Sequence, residues 1–252
     1  NAFIRFLKEA GELSAFTGRF FRELFKPRQE WRELLRQCFY VGNHSLALVG
    51  TTAFIMGLVL TIQSRPTLVE FGAEAWLPKM VSISLIREIA PVITALICAG
   101  KVGSGIGAEL GSMKVTEQID AMDVSGTNPF KYLVVTRVLA TTLMLPVLAV
   151  IADAVALYGA YLGANIKGVV SWQLYWSQVF EALSYSDALP AFVKTYFFGF
   201  AIGIVGCYKG FNSNKGTEGV GRSANSAVVV SSLLVFVLDL IAVQIADILG
   251  FT

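Results

Sequence analysis

Arg87 and Glu88 stand side by side inside an otherwise apolar run from Met80 to Gly100. An unpaired charge at membrane depth costs about 2.5–3.5 kcal/mol on insertion scales. Neighbouring helical residues point about 100° apart, so the two cannot simply neutralise each other. Each requires another partner or a watery cavity. A guanidinium can donate two parallel hydrogen bonds to a phosphate, which suits Arg87 to a lipid phosphate or a neighbouring span and Glu88 to a central cavity. The competing reading is a structural ion network that ties helices together. Asp153, Asp239 and Asp247 also lie in or near apolar runs. Three such carboxylates would suit the proton relay of an ion-coupled secondary transporter, although Asp239 could instead accept from nearby Ser and Thr hydroxyls.

A second concentration of charge is "GSGIGAELGSMKVTEQIDAMDVSGTNP", residues 103 to 129. The spacing predicts one helix over 108–122. Glu109, Ser112, Thr116, Asp120 and Asp123 step by three or four into an acidic stripe. Leu110 and Met113 flank it on one side, and Val115, Ile119 and Met122 on the other. Gly103, Gly105 and Gly107 would turn the chain as it leaves the membrane, and Gly126 with Pro129 would close the segment. Two apolar flanks argue for a helix that sits against something rather than in water.

Other chemistries are disfavoured. His44 is the only histidine, which argues against His-based metal sites and nucleophile triads. Cys38, Cys98 and Cys207 are odd in number and widely spaced, forming neither a disulfide framework nor a zinc pattern. Gly103, Gly105 and Ala108 satisfy a dinucleotide fingerprint, but that motif needs a preceding strand and a membrane helix stands there instead. No G-x-x-x-x-G-K-[ST] loop occurs, so the chain does not bind ATP by that route. A net charge of +2 is too small to point to nucleic acid.

These groups must be positioned by membrane helices. The chain is 55% hydrophobic and 15% charged, against about 25% charged in soluble domains. About 20 apolar residues cross the hydrocarbon, and five runs qualify: 46–63, 80–100, 132–162, 191–208 and 227–249. The runs are continuous rather than alternating, which disfavours a barrel. Fifteen of the twenty Lys and Arg fall on one side, within the first 36 residues, from Lys101 to Arg137 and from Lys209 to Arg222. Arg65, Lys79, Lys167 and Lys194 fall on the other. The positive-inside rule then puts the N-terminus and the island in the cytosol and the C-terminus outside. The first forty residues hold no continuous apolar run of the signal-peptide kind. Phe3, Phe6, Leu7, Leu13, Phe16, Phe20 and Leu24 recur at helical spacing among cations, Pro27 breaks the pattern, and Trp31, Leu34, Leu35, Cys38 and Phe39 resume it. Such a helix suits the headgroup plane, or alternatively packs on the rest of the protein. Gly159-Ala160 and Gly163-Ala164 suit close helix packing, and Trp172, Tyr175 and Trp176 read as an interfacial aromatic belt. The fold class is therefore all-α: a polytopic membrane protein with about five transmembrane helices, an N-terminal interfacial amphipathic region over 1–42 and a membrane domain over 43–252.

"GAELGSMKVTEQIDAM" resembles the signature of the MlaE/YrbE family, permease subunits of MCE-associated ABC transporters for lipids. "IMGLVLTIQ" (55–63), "SLIREIAPVITALICAGKVGSGIGAELGSMKVTEQIDAMDV" (84–124), "YLVVTRVLA" (132–140) and "CYKGFNSNKGTEGVGRSANSAVVVSS" (207–232) resemble further family blocks in the same order. One departure is Thr127-Asn128-Pro129, where the family commonly has Val-Asp-Pro. The resemblance implies a coupling helix over 108–122 that inserts into a separate cytosolic ABC ATPase, with Glu109, Met113, Lys114, Glu117, Gln118 and Asp120 making the contact. Met113 and Ile119 would fill apolar hollows there, and the turn "NKGTEGVGRSANS" would either support that contact or serve as a flexible connector. It further implies a homodimer, an external MCE-domain partner, ATP and Mg held by the ATPase with no cofactor in this chain, and a membrane lipid as substrate. The substrate pocket would be lined by Leu58, Leu60, Ile62, Arg87 and Glu88. The reading is a permease rather than an enzyme, in a bacterial inner membrane, with no nucleic-acid partner.

Overall fold

The computed structural model describes residues 2–26, 30–166, 168, 170–213 and 216–250. Pro27, Arg28, Lys167 and Lys215, used above as a helix break and as flanking cations, lie outside the described residues, as do the side chains of Phe3, Arg5 and Phe6. Every element among the described residues is helical. Five helical stretches are long and apolar enough to cross a membrane: Trp31–Glu70, Glu74–Val115, Phe130–Asn165, Tyr185–Phe211 and Thr217–Ile248. Each contains one of the runs read from the sequence, the last to within a residue, and is longer than it.

In chain order the elements are α1 (Ala2–Leu24), α2 (Trp31–Glu70), a 3-10 turn (Glu74–Trp76), α3 (Leu77–Ser84), α4 (Ala90–Cys98), α5 (Ser104–Val115), α6 (Gln118–Val124), α7 (Thr136–Asn165), α8 (Trp172–Ala182), α9 (Tyr185–Phe211) and α10 (Thr217–Ile248). Wider π-helical turns at Leu85–Ile89, Ala99–Gly103 and Phe130–Val135 join α3 to α4, join α4 to α5, and precede α7. Such turns recur at functional positions in helices. The chain divides into two compact units, Asn1–Gly42 with Cys98–Met144 and Gly199–Val235, and Asn43–Ile97 with Leu145–Phe198 and Phe236–Thr252. The boundary after residue 42 falls inside α2, which runs without interruption from Trp31.

In the first unit α1 packs through an aromatic face. Phe16 lies 4.9 Å from Phe130 and 5.6 Å from Tyr208, ring to ring, and Phe20 lies 5.6 Å from Phe200. Burying a Phe is worth about 1.5–3 kcal/mol, and both rings are buried. Arg19 stacks over the Phe130 ring, Glu12 accepts from the Tyr208 hydroxyl at 2.8 Å, and Glu9 pairs with Lys209. Leu7 and Phe21 remain exposed, as does Phe25 just past the helix, so α1 presents apolar surface on a second side as well. Glu23 carries a further link: its carboxylate is held below the ordinary range by hydrogen bonds from Lys26 and Asn128, at 2.5 and 2.9 Å. An Asp at 128 could not donate that bond, which gives the Asn of Thr127-Asn128-Pro129 a physical role.

In the second unit α2 and α7 meet backbone to backbone. A Cβ on Gly57 would strike the carbonyl of Ala156, one on Gly159 would strike that of Phe54, and one on Gly163 would lie 3.0 Å from that of Leu58. The small-residue runs of α7 thus serve the close packing that their composition predicts. Tyr175 on α8 is buried and donates to the Leu157 carbonyl at 3.1 Å, and burial raises its phenol above the usual range. It is a core residue rather than a member of an aromatic belt, whereas Trp172 is half exposed.

Candidate functional site

The predicted single helix over 108–122 is two helices. α5 ends at Val115, and α6 starts at Gln118. In a straight helix Leu110 and Ile119 would point about 180° apart, nine residues at 100° each. Both are buried, Leu110 at 0% exposure and Ile119 at 2%, and the joint at 116–117 allows it. Thr116 donates its hydroxyl back to the Ser112 carbonyl at 2.9 Å, a local bond that competes with helix continuation. Glu117 takes a left-handed conformation, φ 60°, and among the described residues no other non-glycine does so. An L-residue in that region is strained by about 1–2 kcal/mol. Lys114 donates to Asp120 across the joint at 2.8 Å. Past α6, Gly126 adopts φ +80° and Pro129 follows, the stop signals that the sequence carries.

Gly103, Gly105 and Gly107 make no exit turn, because the helix continues through them into α5. A Cβ on Gly107 would sit 3.4 Å from Ala224 and Ala227, so this glycine serves close packing against α10. From Thr217 onward the second turn is helical and not a flexible connector.

The six residues assigned to coupling separate into two groups. Glu109 is bound inside its own chain: Arg137, 3% exposed, donates to it at 2.8 Å and to the Leu133 carbonyl at 3.0 Å. Lys114 and Asp120 close the joint, and Met113 is half-buried. Glu117 and Gln118 are exposed, together with Ala121, Asp123 and Val124, the last at 91%. Ile119 is covered by its own chain and does not protrude to fill a partner's hollow.

Arg87 and Glu88 lie in the π turn Leu85–Ile89. Their partners are on other helices. Lys194 of α9, 4% exposed, donates to Glu88 at 2.6 Å and to Asp239 of α10 at 2.8 Å. Arg87 reaches Asp187 of α9 at 3.3 Å. Lys194 is therefore no loop cation. It sits inside α9 as the centre of an ionic cluster, a role that its place at the start of an apolar run could have suggested. Asp187 carried no such signal.

The cluster borders a cavity of about 30 Å³ lined by Arg87, Glu88, Asp187 and Lys194. An apolar cavity of about 390 Å³ shares Pro190, Lys194, Ala242 and Ala246 with it and continues along Val193, Phe197, Leu238 and Ile241. Ionic groups and an apolar groove thus meet at Lys194. Leu58, Leu60 and Ile62 are not among the lining residues of either cavity. Leu58 and Leu60 are half-buried, and Ile62 is exposed at 38%. Asp153 lines a different cavity from Glu88, so Asp153 and Asp239 do not converge on one relay.

Residues 34–245 match the family model described as Permease MlaE. The chain belongs to the MlaE permease family. A probable ABC transporter permease protein of Rickettsia typhi is 39% identical over 234 residues, covering 93% of this chain and 90% of that protein. The intermembrane phospholipid transport system permease protein MlaE of Haemophilus influenzae is 34% identical over 220 residues, covering 86% and 84%. A probable ABC transporter permease protein of Synechocystis is 37% identical over 221 residues, covering 88% and 84%. The five membrane-length helices of this MlaE-family chain make it an integral membrane protein.

Proposed function

We propose that this chain is the membrane subunit through which a phospholipid or a related lipid is moved, driven by ATP hydrolysis on a separate cytosolic subunit. The observation that carries the lipid reading is the meeting, at Lys194, of the ionic cluster with the apolar groove of α9 and α10. Arg87 pairs with Asp187 through one Nη and is one-third exposed, so it keeps further N–H donors for a phosphate head, and acyl chains take an apolar lining. The Haemophilus relative, named for intermembrane phospholipid transport, supports the same reading. A photoreactive residue at position 88 or 193 should crosslink phospholipid in the bilayer, and the absence of any lipid adduct at both positions would overturn it.

Coupling to the motor is assigned to the exposed joint of α5 and α6, where Glu117 and Gln118 are free of the core. The Permease MlaE match and the relatives named as ABC transporter permeases support the presence of a separate motor, and the joint is chosen for its exposure. Two copies of the chain would work with two ATPase subunits and an external MCE-domain lipid carrier, with the N-terminus in the cytosol and the C-terminus outside. Glu117→Arg should leave the melting temperature unchanged and abolish co-purification of the ATPase. Undiminished co-purification removes the joint from the coupling role.

A further inference from the structure

We infer that Asp153 of α7 is the anchor of a second amphiphile site, one that takes a primary ammonium group carried on an apolar chain. This inference does not depend on the lipid reading of the Lys194 cluster, since it rests on another cavity. That cavity, of about 320 Å³, lies among the π turn, α4, α7 and α9, with Ile86, Pro91, Val150, Leu189 and Phe192 as apolar walls. Asp153 is its only charged lining residue, and its Oδ1 is shielded from solvent without a hydrogen-bond partner among the described residues.

Nothing described within the same unit is placed to neutralise it. The described Lys and Arg residues of this unit are each engaged by other carboxylates: Arg65 by Glu74, Lys79 by Glu181, Arg87 by Asp187, and Lys194 by Glu88 and Asp239. The lining hydroxyl of Thr195 is spent on the Phe192 carbonyl at 2.6 Å. The ring of Tyr185 is 94% exposed. A lone carboxylate in a span is costly and marks a functional position.

The cavity is open at its mouth, where Val150 and Leu189 are about half exposed, so its lining rather than its volume selects among possible occupants. An apolar wall with one carboxylate offers water few of the two to four polar partners that each buried molecule needs. A protonated Asp153 is the competing state, and it gives equal binding of the three ligands in the test below. A chain ending in –NH₃⁺ matches both parts of that lining: the ammonium donates to the carboxylate, and the methylenes cover the apolar wall. A trimethylammonium head has no N–H to give, and an anionic head is repelled.

The test uses the purified full chain in a neutral maltoside detergent, titrated calorimetrically with octylammonium, octyltrimethylammonium and octyl sulfate. We expect octylammonium to bind at least tenfold more tightly than the other two, and Asp153→Asn to remove that preference while melting as the wild type does. Equal binding of the three, or an unchanged preference in Asp153→Asn, overturns the proposal. Where the variant does not fold, the three-ligand series on the wild type decides alone. Crosslinking at position 88 is read separately, so failure here leaves the Lys194 groove unaffected.

Discussion

The two concentrations of charge in this chain are handled in opposite ways. Around Lys194 the ionic groups are turned onto one another: one 4%-exposed ammonium serves two carboxylates on two other helical elements. Around Glu117 charge is partly turned outward, and the backbone is bent to put it there. In a low-dielectric setting an unpaired charge is expensive, so pairing is obligatory and specifies the helix arrangement. At an exposed joint the same residue types are cheap, and what is specified is backbone shape. Sequence composition does not distinguish the two cases, since both read as charged residues between apolar runs.

That contrast can be broken most severely at Lys194. Replacing it with Met leaves Glu88 and Asp239 without a cation. Removing one partner of a fully buried pair costs about 3–5 kcal/mol, and because the Glu88 side chain is 44% exposed the loss should fall at or below the lower end of that range. Thermal melts in detergent should show that loss. The triple variant Glu88→Gln, Lys194→Met, Asp239→Asn should recover most of the stability, because no charge is then stranded. Arg137→Met comes next. It removes a charge-assisted bond worth about 1.5–3 kcal/mol, but Glu109 is half exposed and can turn to water, so the melt should fall by less than for Lys194→Met. At the joint the sign reverses. Glu117→Gly relieves the left-handed strain and should raise stability by about 0.5–1 kcal/mol; a decrease in the melt would show that Glu117 makes contacts that offset its conformation. The smallest effect concerns acid. The carboxyl of Glu23 is held below its ordinary range chiefly by Lys26. Its contribution is therefore full above the unfolded carboxylate pKa, about 4.3, and is lost as pH falls through the lower folded value. A melt series between pH 7 and pH 3 should show Glu23→Gln with a shallower acid decline than the wild type.

The spans were legible because lipid imposes length and continuity on a helix, and these constraints are local in sequence. That α7 packs closely on a neighbour was legible through Gly159 and Gly163; that the neighbour is α2, meeting it at Gly57, was not. The partner of Arg87 was not, because Asp187 is a hundred residues away and nothing local ties the two. The break at 116–117 was hidden for a different reason. Its residues keep good helical periodicity as a polar stripe, and only the requirement that Leu110 and Ile119 be covered from one side exposes the conflict. α1 was half legible: its apolar positions were evident, but which of them face protein depends on Phe130, Tyr208 and Phe200.

The glycine crossing of α2 and α7 has a mechanical consequence. With Gly57, Gly159 and Gly163 letting main chains touch at successive turns, there is no cushion of side chains to shear, and sliding one rod along the other would drive carbonyls into Cα atoms. Those two helices travel as a single beam, and whatever rearrangement accompanies a cargo's passage must hinge at seams where side chains, not backbones, form the contact.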